Sequence, residues 1–226
     1  MSGDPLERLC ERLGHRFRDR GLLAEALTHR SAGGRHNERL EFLGDAVLNL
    51  VVAEILHARF PELDEGALSR LRARIVQGRT LAAVAAELDL GPHLRLGAGE
   101  LKSGGFRRPS ILADAVEALI GAAYLESGLE GARGVVRRLL GERLDALAPQ
   151  DAVKDPKTRL QERLQGAGRP LPCYELVRAE GPEHARRFTV RCRLEDGDLA
   201  AEGGGGSRRE AEQAAAARLL EMLGDG

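Results

Sequence analysis

The 226-residue chain contains no tryptophan, and aromatic residues make up only 3% of it. A nucleic-acid surface on this chain would rely little on stacking bases against rings. No segment approaches the length of a membrane span, and the start, MSGDPLERLC, lacks the apolar stretch of a signal peptide. A cytoplasmic protein without membrane association is expected. The three cysteines, Cys10, Cys173 and Cys192, form no CxxC pair, so neither a disulfide framework nor a zinc site is indicated. HExxH, GxxxxGK[ST] and GxSxG are all missing, and Gly97-Ala98-Gly99 lacks the third glycine of a dinucleotide fingerprint. No nucleotide cofactor is therefore expected. A basic surplus is missing too. Net charge is −1, with 21 basic and 21 acidic side chains in residues 1–150 and 13 and 14 in residues 151–226. Any binding of a polyanion must use local patches rather than a global field.

What is present divides at about residue 149. Before it, Ala/Leu/Val-rich stretches punctuated by Gly and Pro predict helices starting near Pro5, Gly21, Glu38, Glu65, Arg79, Ser110 and Glu130. Interruptions are expected at Phe60-Pro61, Gly91-Pro92 and Gly97 to Pro109. Residues 149–154 read as a linker. Beyond it come a helix over Lys157–Gln165, a strand over Cys173–Glu180, and a second strand in which Phe188, Val190, Cys192 and Leu194 alternate with polar residues. Cys173 and Cys192 are expected there as buried, reduced thiols. Asp196–Gly203 reads as a weaker third strand, and Gly203–Gly206 as a flexible turn. A last helix from Arg208 carries Ala211, Ala215, Leu219 and Met222 on one stripe. The expected class is α + (α+β): an all-helical domain, residues 1–148, then an α-β-β-β-α domain, residues 155–226.

The segment Asn37–Leu50, NERLEFLGDAVLNL, carries the most chemistry. On a helix Glu38, Glu41 and Asp45 fall within about 60° of one another, while Leu40, Leu43, Val47, Leu50 and Val51 gather on the other side. A second helix repeats the design, with Asp114 and Glu117 together and Leu112, Val116, Leu119 and Ala123 elsewhere. Carboxylates on a solvated face usually have Lys or Arg three or four residues away, because like charges at that spacing repel. Only Glu38 has such a partner, Arg35. Glu41, Asp45, Asp114 and Glu117 have none. From spacing alone, two readings stand: exposed surface acids, or hard oxygen ligands for Mg²⁺, with Mn²⁺ as a substitute. Glu65, beside Asp64, also fits an acid favouring a helix N-terminus. His29 and His36 fit structural or solvated roles.

The same segment closely resembles the signature of the bacterial ribonuclease III family. LLAEALTHRS, FPELDEGALSRLRARIV, GELKSGGFRRPSILADAVEALIGAAYLE and KDPKTRLQERLQG agree as well, in order and in spacing, over nearly the whole chain. The resemblance implies an all-helical endonuclease domain followed by a double-stranded-RNA-binding domain. It implies metal-binding carboxylates at Glu41, Asp45, Asp114 and Glu117, with Asp45 and Glu117 the catalytic centre of that set, and accessory acids at Glu38 and Glu65. Phe42, about 40° from Glu38 on the helix, matches an aromatic knob that enters the partner subunit of a homodimer. The implied activity is Mg²⁺-dependent hydrolysis of double-stranded RNA to 5′-phosphate and 3′-hydroxyl ends with short 3′ overhangs, with ribosomal RNA precursors among the substrates. The alternative is a non-catalytic double-stranded-RNA-binding protein on the same fold. In the C-terminal domain Thr158, Gln161 and Glu162 match first-helix positions that meet a minor groove, and His184 matches a loop contact to a second one. Arg208 and Arg209 open the last helix, where guanidiniums and backbone N–H groups hold phosphates. The chain departs from the commonest pattern at Glu210 and Glu212, where many such domains carry lysine. Glu210 has capping-box spacing from Ser207. The cationic cluster is thin, and modest RNA affinity is expected of this domain alone.

Overall fold

The computed structural model describes residues 4–152, 154–182 and 185–224, and its contacts divide the chain into Met1–Ala152 and Val153–Gly226. The first unit is helical: α1 (Pro5–Leu13), α2 (Arg20–Ala26), α3 (Glu38–Arg59), α4 (Glu65–Val76), α5 (Gly78–Glu87), α6 (Ala98–Lys102) and α7 (Pro109–Asp145). Side-chain caps fix several starts. Asp4, Asp19 and Asp64 each accept backbone N–H groups of the first turn of α1, α2 and α4. The span α7 includes a break at Gly128, whose φ of 64° lies outside the helical region, so the helix expected near Glu130 is the part beyond that break. The expected interruption at 97–109 contains the short α6 and a 3₁₀ turn over Gly105–Arg107.

Helices α3 and α7 make the most extensive contact of the unit. Leu48, Val51, Val52 and Leu56 of α3, Leu119, Ile120, Ala122 and Ala123 of α7, and Leu81 and Val84 of α5 are all buried in one core. Leu50, expected on the inward side of α3, is exposed at 48%. At about 100° per residue it falls about 60° past Val47, beyond the edge of the arc that Leu40, Gly44, Val47, Leu48, Val51 and Val52 bury. The residues expected to open a linker instead form a 3₁₀ turn, Pro149–Ala152, joined to the first unit: Ala152 is buried, Arg70 Nε donates to its carbonyl at 2.6 Å, and Arg74 pairs with Asp151 at 2.9 Å. No helix among the described residues is long and apolar enough to cross a membrane.

The second unit runs α8 (Pro156–Gly166), β1 (Cys173–Glu180), β2 (Arg187–Arg193), β3 (Ala200–Gly205) and α9 (Arg208–Met222). The three strands form an antiparallel sheet in the order β1-β2-β3. Its core joins Leu160 and Leu164 of α8 with Cys192, Leu194, Ala201, Ala215, Ala216, Leu219 and Leu220. Cys192 is buried as expected, whereas Cys173 is only half-buried. Met222 is exposed at 54%, and Leu220 takes its place in the packed stripe of α9.

The expected turn at Gly203–Gly206 is a correction. Gly203, Gly204 and Gly205 are the end of β3, paired with Val190, Thr189 and Phe188. A Cβ on Gly203 would lie 2.1 Å from the Ala215 nitrogen, and one on Gly205 would lie 2.5 Å from Glu210 Cβ. These glycines let α9 seat directly on the strand, a packing role that their low strand propensity conceals.

Candidate metal centre

The site forms where α3 and α7 cross, and two glycines set how close they come. A Cβ on Gly44 would sit 1.8 Å from the Glu117 carbonyl oxygen, and one on Gly121 would sit 2.2 Å from that of Leu40. The two backbones therefore touch, and the acids one turn from each glycine meet across the contact. Glu41, Asp114 and Glu117 each present a carboxylate oxygen, all within 4.8 Å of one another.

The carboxylates are half-buried, and the electrostatics reflect it. Loss of hydration raises the Glu117 pKa to about 7, helped by the neighbouring charges of Asp45, Glu41 and Asp114. Glu41 is raised by burial and then by Asp114. Asp114 is raised by burial, with His29 and Arg30 acting in the opposite direction. No salt bridge reaches these three side chains among the described residues. The arrangement fits a small divalent cation: hard oxygen donors converge, negative charge is in excess, and no basic side chain takes the cation's place.

Asp45 stands beside this group, close enough to raise Glu117 and Glu41, but its carboxylate is exposed and accepts from Asn49 Nδ2 at 2.8 Å. Glu38 is occupied differently. Its Oε1 accepts from Arg30 at 3.2 Å, and its Oε2 lies 3.7 Å from His36 Nδ1. Glu65 sits in the first turn of α4 and accepts from Ser69 at 2.8 Å. It does not join the carboxylate group among the described residues. Phe42 projects from α3 with 81% of its surface exposed.

A cavity of about 360 Å³ opens beside the carboxylates, lined by Glu41 and Asp114 together with Arg30, Glu38, Glu100 and Arg108. Arg30, Glu100 and Arg108 lie in segments that share the family resemblance, but sequence reasoning gave none of them a role at the site. Arg108 donates to Glu100 Oε1 at 3.1 Å, lies 3.0 Å from Oε2 as an ion pair, and donates to the Ser103 hydroxyl at 3.3 Å. Glu100 and Arg108 are eight residues apart, outside any helical spacing, and meet because a Gly-rich break turns the chain between α6 and the start of α7.

In the second unit, Asp155 caps α8 by accepting from the Thr158 nitrogen, and the Thr158 hydroxyl donates to the same carboxylate at 3.0 Å. Gln161 and Glu162 are exposed, and Lys154 Nζ binds Glu162 at 2.6 Å. Glu212 takes Lys157 at 2.6 Å and Arg208 at 3.0 Å, and the Lys157 contact holds its pKa below the usual range. Arg209 is exposed. Ser207 caps α9 through the Glu210 nitrogen, while Glu210 reaches back to the Gly206 N–H at 2.9 Å. Glu210 is thus committed to the helix start. His184 lies outside the described residues.

Comparison with known proteins agrees with this geometry. Residues 19–144 match the family described as Ribonuclease-III-like, and residues 156–223 match the double-stranded RNA binding motif. Ribonuclease 3 of Vibrio campbellii is 54% identical over 222 residues, spanning 98% of this chain and 99% of the relative. Ribonuclease 3 of Alkalilimnicola ehrlichii is 56% identical over 221 residues, spanning 98% and 97%. The crystal structure of the nuclease domain of ribonuclease III from Campylobacter jejuni superimposes with a TM-score of 0.61 at 44% identity, covering 66% of this chain and all of that one. With both units matched and more than half the residues shared along nearly its whole length, the chain belongs to the bacterial ribonuclease III family.

Proposed function

We propose that the chain is an endonuclease that hydrolyses double-stranded RNA with Mg²⁺, leaving 5′-phosphate and 3′-hydroxyl ends. The observation that carries this reading is the convergence of Glu41, Asp114 and Glu117 within 4.8 Å in a chain that also holds an RNA-binding module. These three side chains would hold the cation, with Asp45 completing the acidic face and steering its charge towards Glu117. Bound there, a divalent cation supplies positive charge against the charge growing on the scissile phosphate and the departing 3′-oxygen. Glu117 must give up its proton to take part, and burial, aided by the neighbouring acids, raises its pKa to about 7 without metal. The Gly44–Gly121 contact holds the donors in place, which is a positioning contribution.

The second unit would grip the duplex through Thr158, Gln161 and Glu162 on α8 and Arg208 and Arg209 at the start of α9, reading groove shape and phosphates rather than sequence. His184 would add a loop contact. A region involved in dimer formation is described for the Campylobacter jejuni nuclease domain. A homodimer joined through the exposed Phe42 would place two centres across one duplex and give the short 3′ overhangs. Structured transcripts such as ribosomal RNA precursors in the cytoplasm are the substrates this reading favours. The test is incubation of the purified chain with long duplex RNA, with Mg²⁺ or with EDTA. Shortening only with Mg²⁺ supports the reading, and intact duplex in Mg²⁺ sinks it in favour of a binding protein without cleavage.

A further inference from the structure

The cavity beside the carboxylates contains two guanidiniums that the metal centre does not use. Arg30 precedes α3 and donates to Glu38 at 3.2 Å, and Arg108 precedes α7 and donates to Glu100 at 3.1 Å. Both line the same cavity as Glu41 and Asp114. Arg30 is near enough to lower the pKa of both those acids, yet it forms no ion pair with either. Its side chain is 70% exposed, and that of Arg108 is 45% exposed. Exposed pairs of this kind contribute about 0–1 kcal/mol to folding, so stability is a weak reason for two of them at one opening.

An RNA strand approaching three carboxylates brings several phosphates, and a metal ion offsets charge only where it is bound. The phosphates on either side need cations of their own. A guanidinium has five N–H donors, and one carboxylate contact leaves some of them free for a phosphate. From this juxtaposition we propose that Arg30 and Arg108 form a phosphate clamp that receives the cleaved strand beside the metal centre, with Glu38 and Glu100 as positioning residues. The inference rests on the duplex-cleaving reading above. Glu38 then acts through Arg30 rather than as a metal ligand. Its second oxygen lies 3.7 Å from His36 Nδ1, so its one hydrogen bond to a cationic side chain among the described residues is the one from Arg30.

The experiment uses the full chain and a fluorescent RNA duplex with Ca²⁺ in place of Mg²⁺, titrated at several KCl concentrations. Arg30→Ala and Arg108→Ala should each reduce the slope of log affinity against log salt by about one per site, and Arg30→Lys should restore it. In Mg²⁺, Arg30→Ala should raise KM more than it lowers kcat. Glu38→Gln should impair cleavage in the parent but have no further effect in the Arg30→Ala background, since the two act as one unit. Unchanged slopes in both alanine variants overturn the clamp. A Glu38→Gln defect that persists unchanged in the Arg30→Ala background overturns the positioning role. Failure of the parent to cleave in Mg²⁺ overturns the proposed activity instead, while the salt slopes still decide the clamp.

Discussion

Replacing Glu117 by glutamine should stabilise the metal-free protein, and only at neutral to alkaline pH. Glu117 titrates at about 7 in the fold against 4.5 in an open chain. Its folded-state pKa is raised, so its contribution is intact below about pH 4.5 and is lost as the pH rises through about 7. The full difference corresponds to about 3 kcal/mol at 1.36 kcal/mol per unit. The mouth of the site is open to water, and screening reduces this to roughly 1–2 kcal/mol. The amide keeps the shape of the protonated acid and never ionises. The Glu117→Gln variant should therefore match the parent at pH 5 and exceed it at pH 8, by roughly 2–8 °C in the thermal midpoint of the nuclease unit. Mg²⁺ should reverse the order. A cation at 100 times its Kd adds about 2.7 kcal/mol to the folded parent, and the glutamine variant, one anionic ligand short, should gain far less. The measurement is a set of thermal melts at pH 5 and 8 with Mg²⁺ or EDTA, alongside duplex binding in Ca²⁺. A midpoint difference that is the same at both pH values refutes the electrostatic argument. An equal response to Mg²⁺ refutes the assignment of Glu117 as a ligand, and parallel loss of duplex binding would indicate misfolding instead.

Gly44→Ala should destabilise the first unit by at least about 3 kcal/mol and abolish its stabilisation by Mg²⁺, because the added carbon would lie 1.8 Å from the Glu117 carbonyl. Gly134→Ala on the same long helix as Glu117 meets nothing within 4 Å and should raise the melting temperature slightly, by about 0.4–1 kcal/mol of added stability. If the proposed homodimer forms through Phe42, Phe42→Ala should sediment as a monomer of unchanged thermal stability, since a ring 81% exposed contributes little to the fold of one subunit. Gly203→Val should unfold the second unit and remove most duplex affinity while the first unit still melts normally, read by calorimetry and filter binding, because its Cβ would collide with Ala215.

Much of the site was legible because of how its acids lie on their helices. Glu41, Asp45, Asp114 and Glu117 stood out by lacking a basic residue at helical spacing, and the structure brings three of them together while Asp45 stays exposed and bonded to Asn49. Glu38 shared their face, and its neighbour at helical spacing, Arg35, pairs instead with Glu25 at 3.3 Å. Its partner is Arg30, eight residues back, beyond the reach of helix periodicity. Glu100 and Arg108 were hidden for the same reason: their pairing depends on a turn. Glycine was the least legible residue. Gly44 lay unmarked inside the signature segment and Gly203 was read as part of a turn, yet each permits a backbone contact that only the packed fold reveals.

The charge balance of the chain makes sense at this local scale. An arginine free to swing onto Glu41 or Asp114 would occupy the proposed cation site, and arginine is plentiful in this sequence. Arg30 and Arg108 line the cavity of those acids, yet their described contacts are with Glu38 and Glu100. Each of these second acids neutralises one guanidinium and holds it away from the converging carboxylates. The opening thus alternates in sign: uncompensated carboxylates at its floor, compensated arginines on its walls. Near-zero net charge is the sum of such pairings, and it is compatible with phosphate recognition because charge exchange, rather than surplus, brings the cations into play. A phosphate arriving at Arg30 shares or replaces the Glu38 contact without adding a bare positive charge to the free protein, where it would have raised the competition for Glu41 and Asp114.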